Sequence, residues 1–536
     1  MAATSTALTT GTAAPRSLRR SARLDRLPRA LVAVCTLIVG IVVAPVVVTA
    51  IQAFQGGIPS AERTLSAPGT PTLLLNTLLV TALALPATAV FGVGAAWLVE
   101  RTRLPARRFW PVLLVAPLTI PPFVTSYAWA SLSPSLQGVL GGAGIIAFSY
   151  FPIVFLLCTA SLRGMDPALE ESARSLGLGV RRMFFRVVLP QLRPALLGGL
   201  LLVMLDTLVE FDAFIALKLQ TFSTDITAEY QLSFSPTGAA ALALISTVIC
   251  IALLFGERRF RRGASFTRVS QGTRRALPRY ALGRSRPYAV VALVLLIAVS
   301  VGIPVTMLVR WFTQSSGGFQ GAAAGISTLF PSTVTSVGLG VSAAAVSVLM
   351  AMPLAILIVR YRSPVVSLLE GATYLSFALP DLVAGIALAY ASTHWFRFLD
   401  GTLILLILAE AMLFVPFAVV AIRASLGQLD RGLDDSARAL GAGVARRLWR
   451  ITLPLTRPGL AAAAVLVFAF TLGDLSSAQI LLPPNLTTLG TQFNANASTV
   501  AFGAAAPFAA VLIGLSMIAA YILMSSFGRI RDGQAV

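Results

Sequence analysis

Lysine is almost missing from this chain: Lys218 stands alone among 41 basic residues. No GxxxxGK[ST] segment surrounds it, which excludes a P-loop and the phosphate cradle that goes with it. Histidine is as scarce, with His394 the only one, and Cys35, Cys158 and Cys250 lie apart in apolar runs without CxxC spacing. A disulfide framework or an N/S-ligand metal site needs clustered donors, so none is expected and buried thiols are the plain reading. Charge is thin as well, at 12% of 536 residues, and lopsided, with 21 acidic residues against 41 basic.

What fills the space is hydrocarbon. Apolar residues make up 57% of the sequence and mean hydropathy is +0.84, values that exclude a soluble globular protein. The pattern is that of an all-α integral membrane protein. Counting about 20 apolar residues per crossing gives twelve spans, near 30–54, 73–99, 109–131, 145–162, 195–215, 238–256, 287–311, 333–359, 365–391, 402–423, 459–481 and 503–526. The run from Ala30 to Phe54 follows six arginines, as a signal peptide would, but exceeds an h-region of roughly 7–15 residues and reads as a retained first span.

The net charge of +20 does not mark nucleic-acid binding, because the arginines recur in short clusters between apolar runs rather than in one basic domain. They fix orientation instead. The tail bearing Arg16 to Arg29, the loop with Arg101, Arg103, Arg107 and Arg108, and the linker from Glu257 to Arg286 fall on one face; the opposite loops 132–144, 312–331 and 482–502 carry no Lys or Arg. Arg63, Lys218, Arg310 and Arg397 are exceptions too few to reverse the assignment, which places both termini in the cytoplasm.

Two cytoplasmic loops are near-copies. Glu170–Leu196 reads EESARSLGLGVRRMFFRVVLPQLRPAL and Asp434–Leu460 reads DDSARALGAGVARRLWRITLPLTRPGL, gapless at a shift of 264 and identical at roughly half the positions. A second echo, Ile120-Pro121-Pro122-Phe123-Val124 against Leu379-Pro380-Asp381-Leu382-Val383, has a shift of 259. Six spans per half make the repeat parallel, about an axis along the membrane normal. The implied layout is a basic tail (1–29), a first span and outer loop (30–71), a transmembrane domain (72–256), a basic linker (257–286), a seventh span and outer loop (287–331), a second domain (332–527) and a tail (528–536).

Within the first loop, Asp166 and Pro167 are suited to start a helix, with Glu170 and Glu171 at the positive end of its dipole and Gly177 to stop it. Asp430 and Gly441 repeat the pattern. A second amphipathic stretch, Val180 to Leu189, is expected to end at Pro190, with Phe184 and Val188 on one face and Arg182 and Arg186 on another. Ser172 and Ala173 are small enough to let a partner approach. An amphipathic helix lying on the bilayer is the alternative, but surface anchoring would not require the Gly and Pro positions to repeat.

These loops resemble the EAA loops of the permeases of binding-protein-dependent ABC importers of the type I, MetI-like kind. Glu171, Ser172, Ala173, Gly177, Leu189 and Pro190 match the pattern, as do Asp435, Ser436, Ala437, Gly441, Leu453 and Pro454, with Glu170 and Asp434 beside them. Serine at 172 and 436, and Asp435, depart from the usual Ala and Glu. The fused two-copy layout is similar to ferric-iron permeases, as are Glu210-Phe211-Asp212 with Gln220 to Thr224, and Gly473-Asp474-Leu475 with Leu482-Pro483-Pro484 and Thr488-Leu489. The resemblance implies a transport subunit, not an enzyme, in a bacterial cytoplasmic membrane. It implies loops that dock on two cytoplasmic ATP-binding subunits, an extracytoplasmic binding protein, no cofactor on this chain and ATP used by its partners. Ferric iron is the implied cargo, with thiamine, phosphonate or another small solute as alternatives. An ion-driven secondary transporter also suits two parallel halves but leaves the matched loops unexplained, and no catalytic constellation supports a membrane enzyme.

Carboxylates inside the spans each cost about 2.5–3.5 kcal/mol and need a reason. Asp206 and Glu210 share a helix face, Asp212 points elsewhere, and the repeat sets Asp474 under Glu210. With Asp381 they are candidates for the translocation path; a polar cluster near a wet outer mouth, or a packing hydrogen bond, is the other reading. Glu370, Asp381 and Glu410 have weaker support. Pro121, Pro122 and Pro380 are expected either to break helices beside a cavity or simply to kink them.

Overall fold

In hydrocarbon every backbone N–H and C=O must be paired within the protein, which leaves apolar runs of this length no choice but helix. The computed structural model describes residues 28–55, 62, 66–107, 109–165, 167–231, 236–261, 279–314, 318–427 and 436–532, and no β-strand occurs among them. Asp166, Asp430, Asp434 and Asp435 lie outside the described residues.

Among the described residues nine helices are long and apolar enough to cross a membrane: Arg29–Gln55, Thr70–Arg101, Gly138–Arg163, Val180–Val209, Gly283–Thr313, Ser327–Arg360, Leu403–Leu426, Leu448–Gly473 and Phe502–Ile522. Hydroxyls within them are satisfied locally. Thr77, Thr81 and Thr88 donate to carbonyls four residues back at 2.7, 2.7 and 2.8 Å.

The remaining three expected spans differ from straight rods. Residues 109–131 form Trp110–Thr119 and Pro122–Leu132, bent by 88°, and residues 365–391 form Pro364–Ser376 and Asp381–His394, bent by 99°. Both breaks are built alike: a 3-10 turn (Ala116–Thr119, Tyr374–Ala378) runs into Pro121 at φ −54, ψ 139, or Pro380 at φ −56, ψ 138. Proline cannot donate to the preceding turn and pushes the residue before it out of helical geometry, so the chain turns a corner rather than kinking. Near 238–256, the apolar part of the Pro236–Arg261 helix is a shorter Thr237–Ala252.

The two halves interlock through their opening helices. Arg29–Gln55 packs on Gly318–Arg360, Pro364–Thr373 and Asp381–His394 of the other half, with Cys35, Ile38 and Val42 in one core with Ala351 and Leu354. In return Leu293 and Leu296 join the first-half core beside Val80 and Phe151, while Met307 and Trp311 meet Ile120 and Phe123. Within each half the central pairs correspond: Thr70–Arg101 on Gly138–Gly164, and Gly318–Arg360 on Leu403–Leu426.

Without a hydrophobic force between helices in lipid, such pairs depend on small residues that let backbones close. At Gly92 a Cβ would sit 2.6 Å from Val154 Cβ and 3.0 Å from the Phe151 carbonyl. Gly92→Leu should cost about 1–3 kcal/mol, read as a lower melting temperature of the detergent-solubilised chain; an unchanged melting curve would contradict this packing.

Candidate functional site

Each duplicated loop opens with a short helix stopped by glycine. After Pro167–Ser175, Gly177 adopts φ +79; its N–H donates to Arg174 O at 2.9 Å and Leu178 N–H to Ala173 O at 3.1 Å. In the second loop residues 436–439 are helical, Gly441 has φ +78, and the bonds Gly441 to Arg438 and Ala442 to Ala437 are both 3.0 Å. This paired closure requires a left-handed residue, which costs an L side chain about 1–2 kcal/mol. Nothing lies within 4 Å of a Cβ at either glycine, so conformation rather than crowding selects it.

The chain then re-enters the membrane without stopping. Val180–Met183, a π-helical turn Phe184–Val188 and Leu189–Val209 follow one another, and Val444–Arg447, Leu448–Thr452 and Leu453–Gly473 repeat the series. The expected stop at Pro190 is therefore corrected. The wide turn lets Leu189 N–H bond to Phe184 O and Leu453 N–H to Leu448 O, five residues back, so Pro190 and Pro454 follow a turn already opened around their rings.

Faces sort as the amphipathic pattern predicts. Met183 and Val188 are buried, Phe184 meets Trp97 edge-on at 4.8 Å, and Arg182 and Arg186 are exposed. Two positions in each loop went unnoticed in the sequence. Leu176 and Leu440 are 82% and 88% exposed, and Phe185 and Trp449 are 56% and 71% exposed, large apolar groups repeated at the 264 shift. The signal was available in the alignment, but exposure cannot be read from residue type.

Two loop residues turn inward instead. Ala173 is 5% exposed and packs with Met183 and Tyr280, so its small size serves this chain's own packing and not a partner's approach; Ser172 is exposed. Glu170 is 1% exposed and forms a 2.7 Å ion pair with fully buried Arg101 at the end of its helix. Arg101 also donates to Leu162 O at 3.0 Å. Tyr280, from the linker between the halves, donates its hydroxyl to Glu170 Oε2 at 2.9 Å, stacks on Trp97 at 5.9 Å and exchanges backbone bonds with Arg101 and Arg103 at 2.7 and 3.1 Å. Burial, then the neighbouring Glu170 carboxylate, raises the Tyr280 pKa. Beside this clamp Glu100 holds Arg107 at 3.0 Å and Arg163 at 2.6 Å. In the second half Arg360, at the corresponding helix end, donates to Thr452 Oγ1 at 3.3 Å.

The helices leaving the loops end at Glu210 and Asp474, corrected from continuous spans to 215 and 481. Both carboxylates cap the short helix that follows: Glu210 accepts from Ala213 N–H at 2.9 Å, and Asp474 from Ser476 and Ser477 N–H at 3.1 and 3.3 Å. Tyr150 donates to Glu210 at 3.2 Å and also faces Asp206, so those two do share a side. Asp212 accepts from Ser476 Oγ at 2.9 Å, across 264 residues. Residues related by the repeat thus touch each other, which places them on the pseudo-two-fold axis.

Asp381 lies within electrostatic reach of Asp474, Asp206, Asp212 and Glu210, and wholly buried Glu410 adjoins Asp474. Glu370 is elsewhere: it pairs with Arg423 at the arginine-rich end. Among the described residues no three His, Cys, Asp or Glu side chains converge as a metal cage. The arrangement is a polar axis with capped helix breaks, flanked on one face by twin loops.

Parallel halves, interlocked opening helices and matched re-entering loops define a duplicated membrane permease. The chain belongs to the family of binding-protein-dependent transport system inner membrane components, whose model matches residues 89–265 and 347–532. It is the permease subunit of an ABC importer. Over 89% of its length it is 32% identical to the Fe(3+)-transport system permease protein FbpB 2 of Haemophilus influenzae, covering 94% of that protein. It is 26% identical over 70% of its length to the ferric transport system permease protein FbpB of Actinobacillus pleuropneumoniae, covering 56% of it. A 34% portion is 32% identical to the molybdenum transport system permease protein ModB of Escherichia coli, covering 90% of it.

Removing one partner of a buried ion pair leaves an uncompensated charge. Glu170→Ala or Arg101→Ala should therefore cost about 3–5 kcal/mol, and the double apolar replacement Arg101→Met with Glu170→Leu should recover much of it. Thermal melts of the three proteins check this; equal loss in all three would remove the pair from its structural role. At the axis, Glu210→Ala with Asp474→Ala should lower uptake while the ATP-binding subunits still co-purify, and normal uptake would discard these residues as part of the route.

Proposed function

We propose that this chain is the fused two-domain permease of a ferric-iron importer. An extracytoplasmic binding protein delivers the cargo, and two cytoplasmic ATP-binding subunits dock one on each loop. Iron comes from the two FbpB relatives, the first of which aligns over nearly the whole chain. The transmembrane domains are assigned to 72–256 and 332–527, the first and seventh spans with their outer loops to 30–71 and 287–331, and the basic segments 1–29, 257–286 and 528–536 to the cytoplasm, following the arginine asymmetry. The chain is read as binding no cofactor, with ATP used only by its partners.

One observation carries the docking assignment: two loops with the same glycine closure each hold a large apolar pair out of the fold, Leu176 with Phe185 and Leu440 with Trp449. Isolated exposed leucines need no explanation, but repeated leucine-plus-aromatic pairs beside arginines suit a groove with an apolar floor and an acidic rim. Glu171, Ser172, Ser436, Leu189, Pro190, Leu453 and Pro454, with Asp434 and Asp435, belong to the same coupling unit. ATP shifts the inward and outward states only through contacts that differ between them. The loops supply those contacts, and the unbroken helices from Val180 and Val444 carry the displacement to Glu210 and Asp474.

Truncating an apolar anchor at an interface typically costs more than about 1–2 kcal/mol. Leu176→Asp with Leu440→Asp should abolish co-purification of the ATP-binding subunits and ATP-dependent ferric uptake into proteoliposomes, while each single variant keeps one subunit. Iron accumulation by vesicles holding this polypeptide alone, with no nucleotide consumed, would instead establish an ion-driven carrier.

A further inference from the structure

On the arginine-poor face, the two halves border an open chamber of about 540 Å³ directly outside the axis. That volume suits a small complex rather than a single ion, since ligand sites typically run about 300–1,000 Å³. Phe211, neighbour of Asp212, and Gln479, one turn beyond Ser476, both line it, so cargo entering here meets the chamber before the carboxylates. Among the described residues that line it none is Asp or Glu, and Lys218 is the only charged one. Around it stand the neutral amides Gln137, Gln479 and Asn494, which offer N–H donors, while the Ser131 hydroxyl, also in the lining, donates to Tyr127 O at 2.7 Å. Tyr127 donates to Asn494 Oδ1 at 3.0 Å, which leaves the Asn494 amide nitrogen as the group to offer a ligand.

Lys218 is held there against its own preference. It sits at φ +52 just after the Asp212–Ala216 helix, with Lys218 N–H bonded to Ile215 O at 3.1 Å and Leu219 N–H to Phe214 O at 3.0 Å. This is the position where the loops use glycine, and a side chain there costs about 1–2 kcal/mol. Val500, at φ +63, lines the same chamber. Two of the three non-glycine residues with positive φ among the described residues therefore border one cavity, and strain of this kind concentrates at ligand sites. Lys218 has no ion-pair partner among the described residues.

A bare multivalent cation would find no charged ligand here and would be repelled by the ammonium. Oxygen atoms carrying negative charge would be held by it and by the surrounding donors. We infer that this chamber is a binding site for an anionic, oxygen-rich solute, and that iron enters the permease as an anionic complex rather than as the bare ion. The metal in this inference rests on the ferric-iron reading; the anion preference of the chamber does not.

The test is equilibrium binding to the full chain in nanodiscs, with three probes: ferric citrate, molybdate as an iron-free oxyanion, and hexaamminecobalt(III) as a trivalent cation with a neutral coat. The informative variant is Lys218→Gly, which removes the charge while relieving the backbone and so should fold at least as well as the parent; Lys218→Arg restores the charge. Ferric citrate is expected to bind the parent and Lys218→Arg, to bind Lys218→Gly about tenfold or more weakly, as loss of a charge-assisted contact predicts, and hexaamminecobalt(III) not to bind. Molybdate binding that depends on Lys218, without ferric citrate binding, would support the anion site and overturn its iron cargo. Binding of the cobalt cation, or equal ferric citrate affinity in parent and Lys218→Gly, would overturn the site itself.

Discussion

Hydrocarbon supplies no hydrogen bonds, and that constraint governs where this chain is allowed to stop being helical. The described interruptions at the axis and at the two corners each dispose of the N–H groups they free. At the ends of the two re-entering helices, Glu210 and Asp474 bring carboxylate oxygens to the freed N–H groups of the next short helix. At the right-angled breaks, Pro121 and Pro380 bring no N–H that would need one. A residue that is costly in a membrane thus does structural duty at the place where the two halves meet, and a polar axis follows from that placement.

Duplication explains the pairing of these features, and the described contacts of each loop can be followed into its own half. The first loop is clamped by the buried Arg101–Glu170 pair and by Tyr280, which arrives from the linker and ties the second half's entry to the first half's loop. At the corresponding place in the second half, Arg360 reaches Thr452 of its own re-entering helix. The contacts of the first loop therefore run both to its own domain and to the linker. The interlocked opening helices add the same coupling in the membrane, since each half is packed against the first span of the other.

The path from loop to axis is short and stiff. A π-turn admits the helix past Pro190 or Pro454 without a break, and the next interruption is the capped carboxylate itself. On the proposed docking, unbroken helices join the loop that would receive work to the polar centre.

Much of this was legible beforehand. The nine straight spans and two bent ones among the described residues, the repeat, the glycine stops at 177 and 441 and the alignment of Glu210 with Asp474 all follow from local rules: run length, left-handed conformation and exact register; the twelfth expected span, near 238–256, is a shorter apolar helix. What failed were claims about direction. Hydropathy sums over a window and cannot fix the angle inside it, so 109–131 and 365–391 read as single spans in which Pro121, Pro122 and Pro380 either break or kink the helix, and the structure shows breaks of 88° and 99°. Proline at 190 reads as a terminator because its local cost is known, whereas the π-turn that accommodates it is a property of the helix as a whole. Ala173 and Glu170 looked like contact residues on a charged loop, but which side of a short helix faces inward depends on Arg101, 69 residues earlier than Glu170, and Tyr280, 110 later. The sequence by itself determined where the apolar segments lie, the two-fold repeat and the loops that carry it, because those depend on neighbours within a turn or two. Only the tertiary structure decided which side chains face a partner, which lock the fold and which gather at the axis, because those contacts join residues the chain separates by tens to hundreds of positions.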